Sequence, residues 1–273
     1  MTRLIPDGLE ATLVLLRHGE STAIVEGRFQ GRSNVPLSPM GVRQARRAAE
    51  RLARPHDSPA LPIPSGGPLE IVHSPLVRAT ETAGAVARAL ADPAAFDGPI
   101  PIRAEHGLAE IGQGEWEGRL ATEIAERWGE VLAAWRDRPT EAHAPGGESL
   151  PDARSRVEPA LAEILERLSA AGPGAGTSTT TSPVLGHPAG PTDHPWTILV
   201  GHDGVFKVAL LTLFDLPLER FWLFPFALCG ITIVEFAGAG PRLRAHNLTE
   251  HLGPLLEERA QEATEERERT GAL

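Results

Sequence analysis

An α/β fold, with a parallel sheet sandwiched between helices, is what this chain predicts, and three observations predict it. Strand candidates alternate with helical ones along most of its length. Two short apolar runs, Leu13-Val14-Leu15-Leu16 and Thr197-Ile198-Leu199-Val200, read as strands covered on both faces. Each leads straight into polar chemistry, Arg17-His18 after the first and Gly201-His202 after the second, at the edge where open α/β sheets bind ligands. Crossovers in such a sheet are right-handed, and the strand order stays open.

In chain order, residues 1–10 read as an irregular leader and Ala11 to Leu16 as the first strand. A polar, glycine-containing loop fills 17–35. Ser38-Pro39 then pairs an N-cap with proline at the first helical position, starting a helix to about Arg54 with Ala45, Ala48, Ala49 and Leu52 inward. Residues 55–68 are a proline- and glycine-rich loop. Glu70 to His73 is a short strand, and Ser74-Pro75 repeats the cap-plus-proline start for a helix to about Ala91. Pro99 to Arg103 is a further strand candidate, and Leu120–Trp135 a helix. A glycine turn at Gly146-Gly147 precedes a long helix from Pro151 to about Ala170, with Val157, Leu161, Ile164, Leu165 and Leu168 at helical spacing. Residues 172–195, rich in glycine, proline, serine and threonine, read as a flexible linker. The Thr197–Val200 strand is followed by a helix from Val205 to Phe214. Ile231–Phe236 and Leu243–Asn247 form a closing strand pair. The tail, 256–273, alternates Glu and Arg with little to bury.

The 273 residues suffice for one large α/β domain or two small ones, and 41% hydrophobic content supports a sizeable core. A net charge of −10 argues against nonspecific nucleic-acid binding and against an anionic membrane surface. A few clustered arginines can still take an anionic substrate. The lone Cys229 excludes an internal disulfide and sits in an apolar stretch, so it reads as a small core residue. There is no apolar signal region and no membrane-length apolar run, so the expected location is cytoplasmic.

The chemistry starts from Arg17-His18-Gly19-Glu20-Ser21. An arginine beside an imidazole suits a phosphate monoester: the guanidinium grips oxygens while the histidine attacks phosphorus. A plain surface Arg-His pair is the alternative that the pentapeptide alone leaves open. More motifs follow: Gly27-Arg28-Phe29-Gln30-Gly31, Pro36-Leu37-Ser38, Gly41 and Gln44-Ala45. Further on come His73-Ser74-Pro75-Leu76-Val77-Arg78-Ala79, Glu110 with Gly114-Glu115-Trp116-Glu117-Gly118, Gly146-Gly147-Glu148-Ser149, and Gly201-His202-Asp203-Gly204-Val205.

In this order, over roughly Leu13 to Phe236, these blocks resemble the histidine phosphatase superfamily, the phosphoglycerate-mutase-like group. The resemblance implies one domain over 1–273, a three-layer sandwich with a mainly parallel sheet, and a small helical cap at about 104–148 on a core of about 11–250. It implies that His18 is the nucleophile, Glu110 the general acid and His202 a second catalytic histidine. Arg17 and Arg78 would clamp phosphate oxygens, and Gln30, Gly31 and Ser21 would line the phosphate site. Glu115 and Glu117 lie close enough in sequence to compete with Glu110 for the acid's place. One departure stands out. Seven residues after Arg17 the family usually has an asparagine; here it is Ile24, which cannot donate, so Thr22, Ser21 or Gln30 must fill in or the pocket has one donor fewer.

The implied activity is a metal-independent phosphomonoesterase acting on a small phosphorylated metabolite. The Phe29-Gln30-Gly31-Arg32 stretch looks like the phosphatase branch; a phosphoglycerate mutase, or a catalytically weak regulatory or binding relative, are the alternatives. No other histidine pair has metal-ligand spacing near carboxylates, so neither metal nor cofactor is expected. Trp116, Trp128 and Trp135 fit pocket walls or core packing equally. The chain is expected to be a monomer or a homodimer.

Overall fold

A computed structural model of the chain describes residues 3–96, 98–172, 194–238 and 240–258. Its six-stranded sheet has the order β3-β2-β4-β1-β5-β6. The strands are β1 (Ala11–Arg17), β2 (Ile71–His73), β3 (Ile102–Ala104), β4 (Trp196–Gly201), β5 (Ile231–Ala237) and β6 (Gly240–Leu248). β1, β2, β3 and β4 run parallel, and β5 and β6 add an antiparallel hairpin on the far side of β1. Beside the short α1 (Thr22–Val25), the helices are α2 (Pro39–Ala53), α3 (Val77–Leu90), α4 (Ala121–Asp137), α5 (Leu150–Ala170) and α6 (Asp203–Leu213).

Alternation along the central strands sorts side chains between two helical layers. Leu13 and Leu15 of β1, with Leu199 of β4, pack with α5 and α6. Val14 and Leu16, with Ile198 and Val200, pack with α2 and α3 on the other face. β1 and β4 are buried along almost their whole length, as their unbroken apolar runs require. Three layers and a mainly parallel sheet therefore match the expected fold. Among the described residues no helix is long and apolar enough to cross a membrane.

Several boundaries differ from the sequence reading. α3 begins at Val77, with Leu76 at its N-cap and no capping side chain. Ser74 does not cap this helix, because its hydroxyl is engaged by the Leu76 N–H and by His202. β3 starts only at Ile102, because Pro99 and Pro101 have no N–H for the ladder. α4 runs on to Asp137 and is kinked at Trp128, where φ is −131° and ψ 31°. Most of the linker reading (173–193) and most of the tail reading (259–273) lie outside the described residues.

The segment expected to cap the site has a small core of its own, made by Trp116, Ile124, Leu132 and Ala144. Trp116 is fully buried there, edge-on to Phe29 at 5.8 Å and to Trp135 at 6.2 Å. Trp135 continues the chain of rings to Trp222, 4.8 Å away. Trp116 is thus core packing rather than pocket wall.

Candidate active site

The strand order brings the chemistry together. β2, β4 and β1 are adjacent, and the parallel register puts Arg17 beside Gly201 and His73 beside Val200. The residues that follow these strands, His18, His202 and Ser74, therefore meet at one sheet edge, with Arg78 in the first turn of α3.

His18 is 2% exposed. Its Nδ1 lies 2.6 Å from the Gly19 carbonyl, which can only accept, so Nδ1 carries the hydrogen and Nε2 the lone pair. Arg78 Nε donates to that Nε2 at 3.3 Å. Burial, then the charges of Arg78 and Arg17, hold the imidazole well below its ordinary range, against a smaller upward pull from the Gly19 bond. A neutral, oriented ring results, as nucleophilic attack needs.

His202 stacks edge-on to His18, with ring centroids 5.0 Å apart. Its Nε2 is 2.7 Å from Ser74 Oγ. Burial and the neighbouring His18 and arginines keep this ring neutral too. With Ser74 donating to Nε2, the hydrogen sits on Nδ1, which is buried and has no partner in the protein. Arg17 likewise has a buried, unpartnered Nε, while its Nη1 donates to the Phe226 carbonyl. Two buried donors thus remain uncommitted on residues next to His18, one on its chain neighbour Arg17 and one on the ring that stacks against it.

Arg78 is 1% exposed and donates 2.8 Å bonds to the carbonyls of Gly31 and Ser33. Burial lowers its guanidinium to about 10, with Glu110 and Glu117 pulling the other way, so it remains a cation at neutral pH. The loop that follows β1 is thereby tied to the phosphate-clamp candidate. Gly31 takes a φ of +48°, and a β-carbon there would lie 2.8 Å from the Gln113 backbone nitrogen, so glycine is required.

Glu110 joins the group from beyond β3. Gly204 and Val205, in the first turn of α6, donate backbone N–H groups to its carboxyl at 3.2 and 3.0 Å, and its own neighbour Ile111 donates at 2.8 Å. The general-acid candidate is therefore fixed on the helix that follows His202. Glu117 binds the backbone N–H groups of Arg32 and Gln113, and Glu115 stands at the surface near Arg127.

Ser21 is fully buried at the N-cap of α1; its hydroxyl accepts the Ile24 N–H and donates to Gln30 Oε1 at 2.7 Å. Ser21 therefore orients Gln30, and it is the amide nitrogen of Gln30 that stays uncommitted. Ile24 presents only its backbone to this network.

Sequence reasoning passed over Ser74 and Arg156. Ser74-Pro75 reads as a helix start, and nothing in the sequence reading singles out Arg156. Arg156 instead donates to the carbonyls of Gly107, Ala109 and Glu110 and makes a two-point ion pair with Glu148. The Gly146-Gly147-Glu148-Ser149 block was the available signal, since a carboxylate in a glycine turn calls for a partner.

The family model described as histidine phosphatase superfamily (branch 1) matches residues 13–172 and 188–249. Phosphoserine phosphatase 1 of Hydrogenobacter thermophilus is 26% identical over 245 residues, covering 88% of this chain and 94% of that protein. A bifunctional protein of Mycobacterium tuberculosis is 37% identical over 150 residues; the match covers 55% of this chain and only 36% of that protein's length. Among solved structures, mycobacterial glucosyl-3-phosphoglycerate phosphatase with VO3 superposes with a TM-score of 0.66 at 27% identity, over 87% of this chain and 99% of that one.

Proposed function

The chain belongs to branch 1 of the histidine phosphatase superfamily, and from that premise we propose that it is a phosphomonoesterase cleaving a small phosphorylated metabolite through a phosphohistidine on His18. The observation that carries the reading is the state of His18: buried, neutral, with Nδ1 anchored on Gly19 and Nε2 facing Arg78. Nε2 attacks phosphorus and the ester P–O bond breaks. Arg17 and Arg78 balance the charge on the phosphoryl oxygens, and His202 Nδ1 donates to one of them. Glu110 gives a proton to the leaving alcohol. It then takes one from the water that attacks the phosphohistidine, which frees phosphate and restores His18. Side chains fill every role, so the reaction calls on no metal or cofactor. The phosphatase names of the relatives support a small phosphorylated metabolite as substrate.

The test is phosphate release in the presence of a chelator from a panel that includes phosphoserine and glucosyl-3-phosphoglycerate. His18→Ala should lower turnover at least ~10³-fold, as loss of a nucleophile does. Wild-type protein quenched at alkaline pH should carry one phosphoryl group on His18 by mass spectrometry. Turnover in His18→Ala within a few-fold of wild type would sink the reading. Migration of phosphate between hydroxyls without release would assign a mutase instead.

A further inference from the structure

Arg32 stands between the two residues whose carbonyls Arg78 holds, Gly31 and Ser33. Its own guanidinium points to the other half of the site. Nε donates to the Glu110 carbonyl at 3.2 Å and Nη2 to Glu148 Oε1 at 2.7 Å. Glu148 also receives the Gly112 N–H and the two-point bond from Arg156, which in turn holds the carbonyls of Gly107, Ala109 and Glu110. The backbone around Glu110 is thus gripped by one arginine from α5 and one from the β1 loop.

The two arginines differ in what they do for the fold. The Arg156 side chain is 21% exposed and Glu148 12%, so their pair is largely enclosed. Arg32 is 44% exposed. With the guanidinium that exposed, its bond to Glu148 contributes little beyond what a long side chain gives up in rotamer freedom. Stability therefore does not explain why Arg32 is held with its guanidinium on Glu110's carbonyl. Its removal would leave Glu148 still paired with Arg156, so the fold should persist.

We propose that Arg32 is a positioning residue for Glu110, linking the loop gripped by Arg78 to the backbone that carries the acid. The carboxyl is then set at the leaving-group oxygen while Arg78 holds the phosphoryl group. The inference rests on the reading of Glu110 as general acid.

Leaving-group dependence tests it, because an alkyl alcohol needs a proton to depart and a nitrophenolate hardly does. Glycerol phosphate and p-nitrophenyl phosphate would be compared by kcat/KM for wild type, Arg32→Ala, Arg32→Lys and Glu110→Gln. Arg32→Ala should lose 10- to 100-fold on the alkyl ester, about what an ångström of misplacement costs, and at least tenfold less on the aryl ester. Arg32→Lys should fall between, since one ammonium cannot meet both the carbonyl and Glu148 as a guanidinium does. Glu110→Gln should show a larger loss with the same bias. Equal losses on both esters in the Arg32 variants, or none, with the bias intact in Glu110→Gln, overturn the positioning role alone. Absence of the bias in Glu110→Gln overturns the acid assignment and the inference with it. Should Arg32→Ala fail to fold, Arg32→Lys carries the same comparison.

Discussion

Gly204 is where the acid candidate meets the helix that follows His202. A β-carbon there would lie 2.7 Å from Glu110 Oε1 and 2.9 Å from Ile111 Cδ1. Both are far ends of flexible side chains, so an alanine would push the carboxyl aside rather than break the backbone. The position is in the first turn of α6, where alanine is the better helix former by about 1 kcal/mol. Gly204→Ala should therefore lower kcat on an alkyl phosphate roughly tenfold or more, while the helix gain is offset by the Gly204 and Val205 N–H groups that lose the carboxyl. An unchanged kcat would mean that Glu110 is not held as argued. At this scale the sequence was readable where one residue type has one use. His18 and Arg78 were nameable from their motifs because an imidazole and a guanidinium at strand-linked positions suit a phosphate. Ser74 was not, because Ser-Pro also begins helices, and only the neighbouring β4 shows that its hydroxyl is engaged by His202.

The elements place these residues, and one of them carries a visible defect. α5 spans 21 residues and contains Pro159 in its interior. Proline has no N–H for the Ser155 carbonyl, and both residues are exposed. Pro159→Ala should restore the bond. Against a helix-interior cost of about 3 kcal/mol stands about 0.4–1 kcal/mol of unfolded-state freedom that proline removes. A net gain of about 2 kcal/mol corresponds to a Tm rise of roughly 4–8 °C for a chain of this size, readable by calorimetry. No rise would show that the helix already accommodates the ring without loss. The apolar periodicity of α5 was plain in Val157, Leu161, Ile164 and Leu168, all buried. The task of its polar face was not, because spacing along one helix says nothing of the loop that Arg156 meets. For the same reason the unbroken apolar runs announced β1 and β4 as buried strands but not as neighbours, since the pairing is made across most of the chain's length.

For the molecule as a whole, the site has a thermodynamic consequence that a pH series would expose. Burial and nearby positive charge lower the basicity of His18 and His202, and burial does the same for His251. At pH 8, well above the ordinary imidazole value of about 6.5, these rings are neutral in folded and unfolded chain alike, and they contribute no pH dependence. As the pH falls toward that value and below it, the unfolded chain takes up protons that the folded chain refuses. The unfolded state then binds more protons, so stability rises with pH and is lost on acidification. Each such ring adds a slope of up to about 1.4 kcal/mol per pH unit, so His18 and His202 together add up to about 2.7. Glu148 adds acid sensitivity only further down: burial alone would raise it, but the bonds and charge of Arg156 and the charge of Arg32 hold it below its usual value. Urea midpoints should thus be nearly flat around pH 8 and fall increasingly steeply through pH 6.5 toward pH 5.5. In His18→Ala/His202→Ala that drop should become shallower by about two protons' worth, whatever the double substitution does to stability at pH 8. The same low basicity keeps the nucleophile free, so the acid limb of kcat/KM should lie well below pH 6.5. A double variant as acid-sensitive as wild type would mean that the two rings can be protonated inside the fold, and the neutral nucleophile on which the catalytic reading stands would be gone.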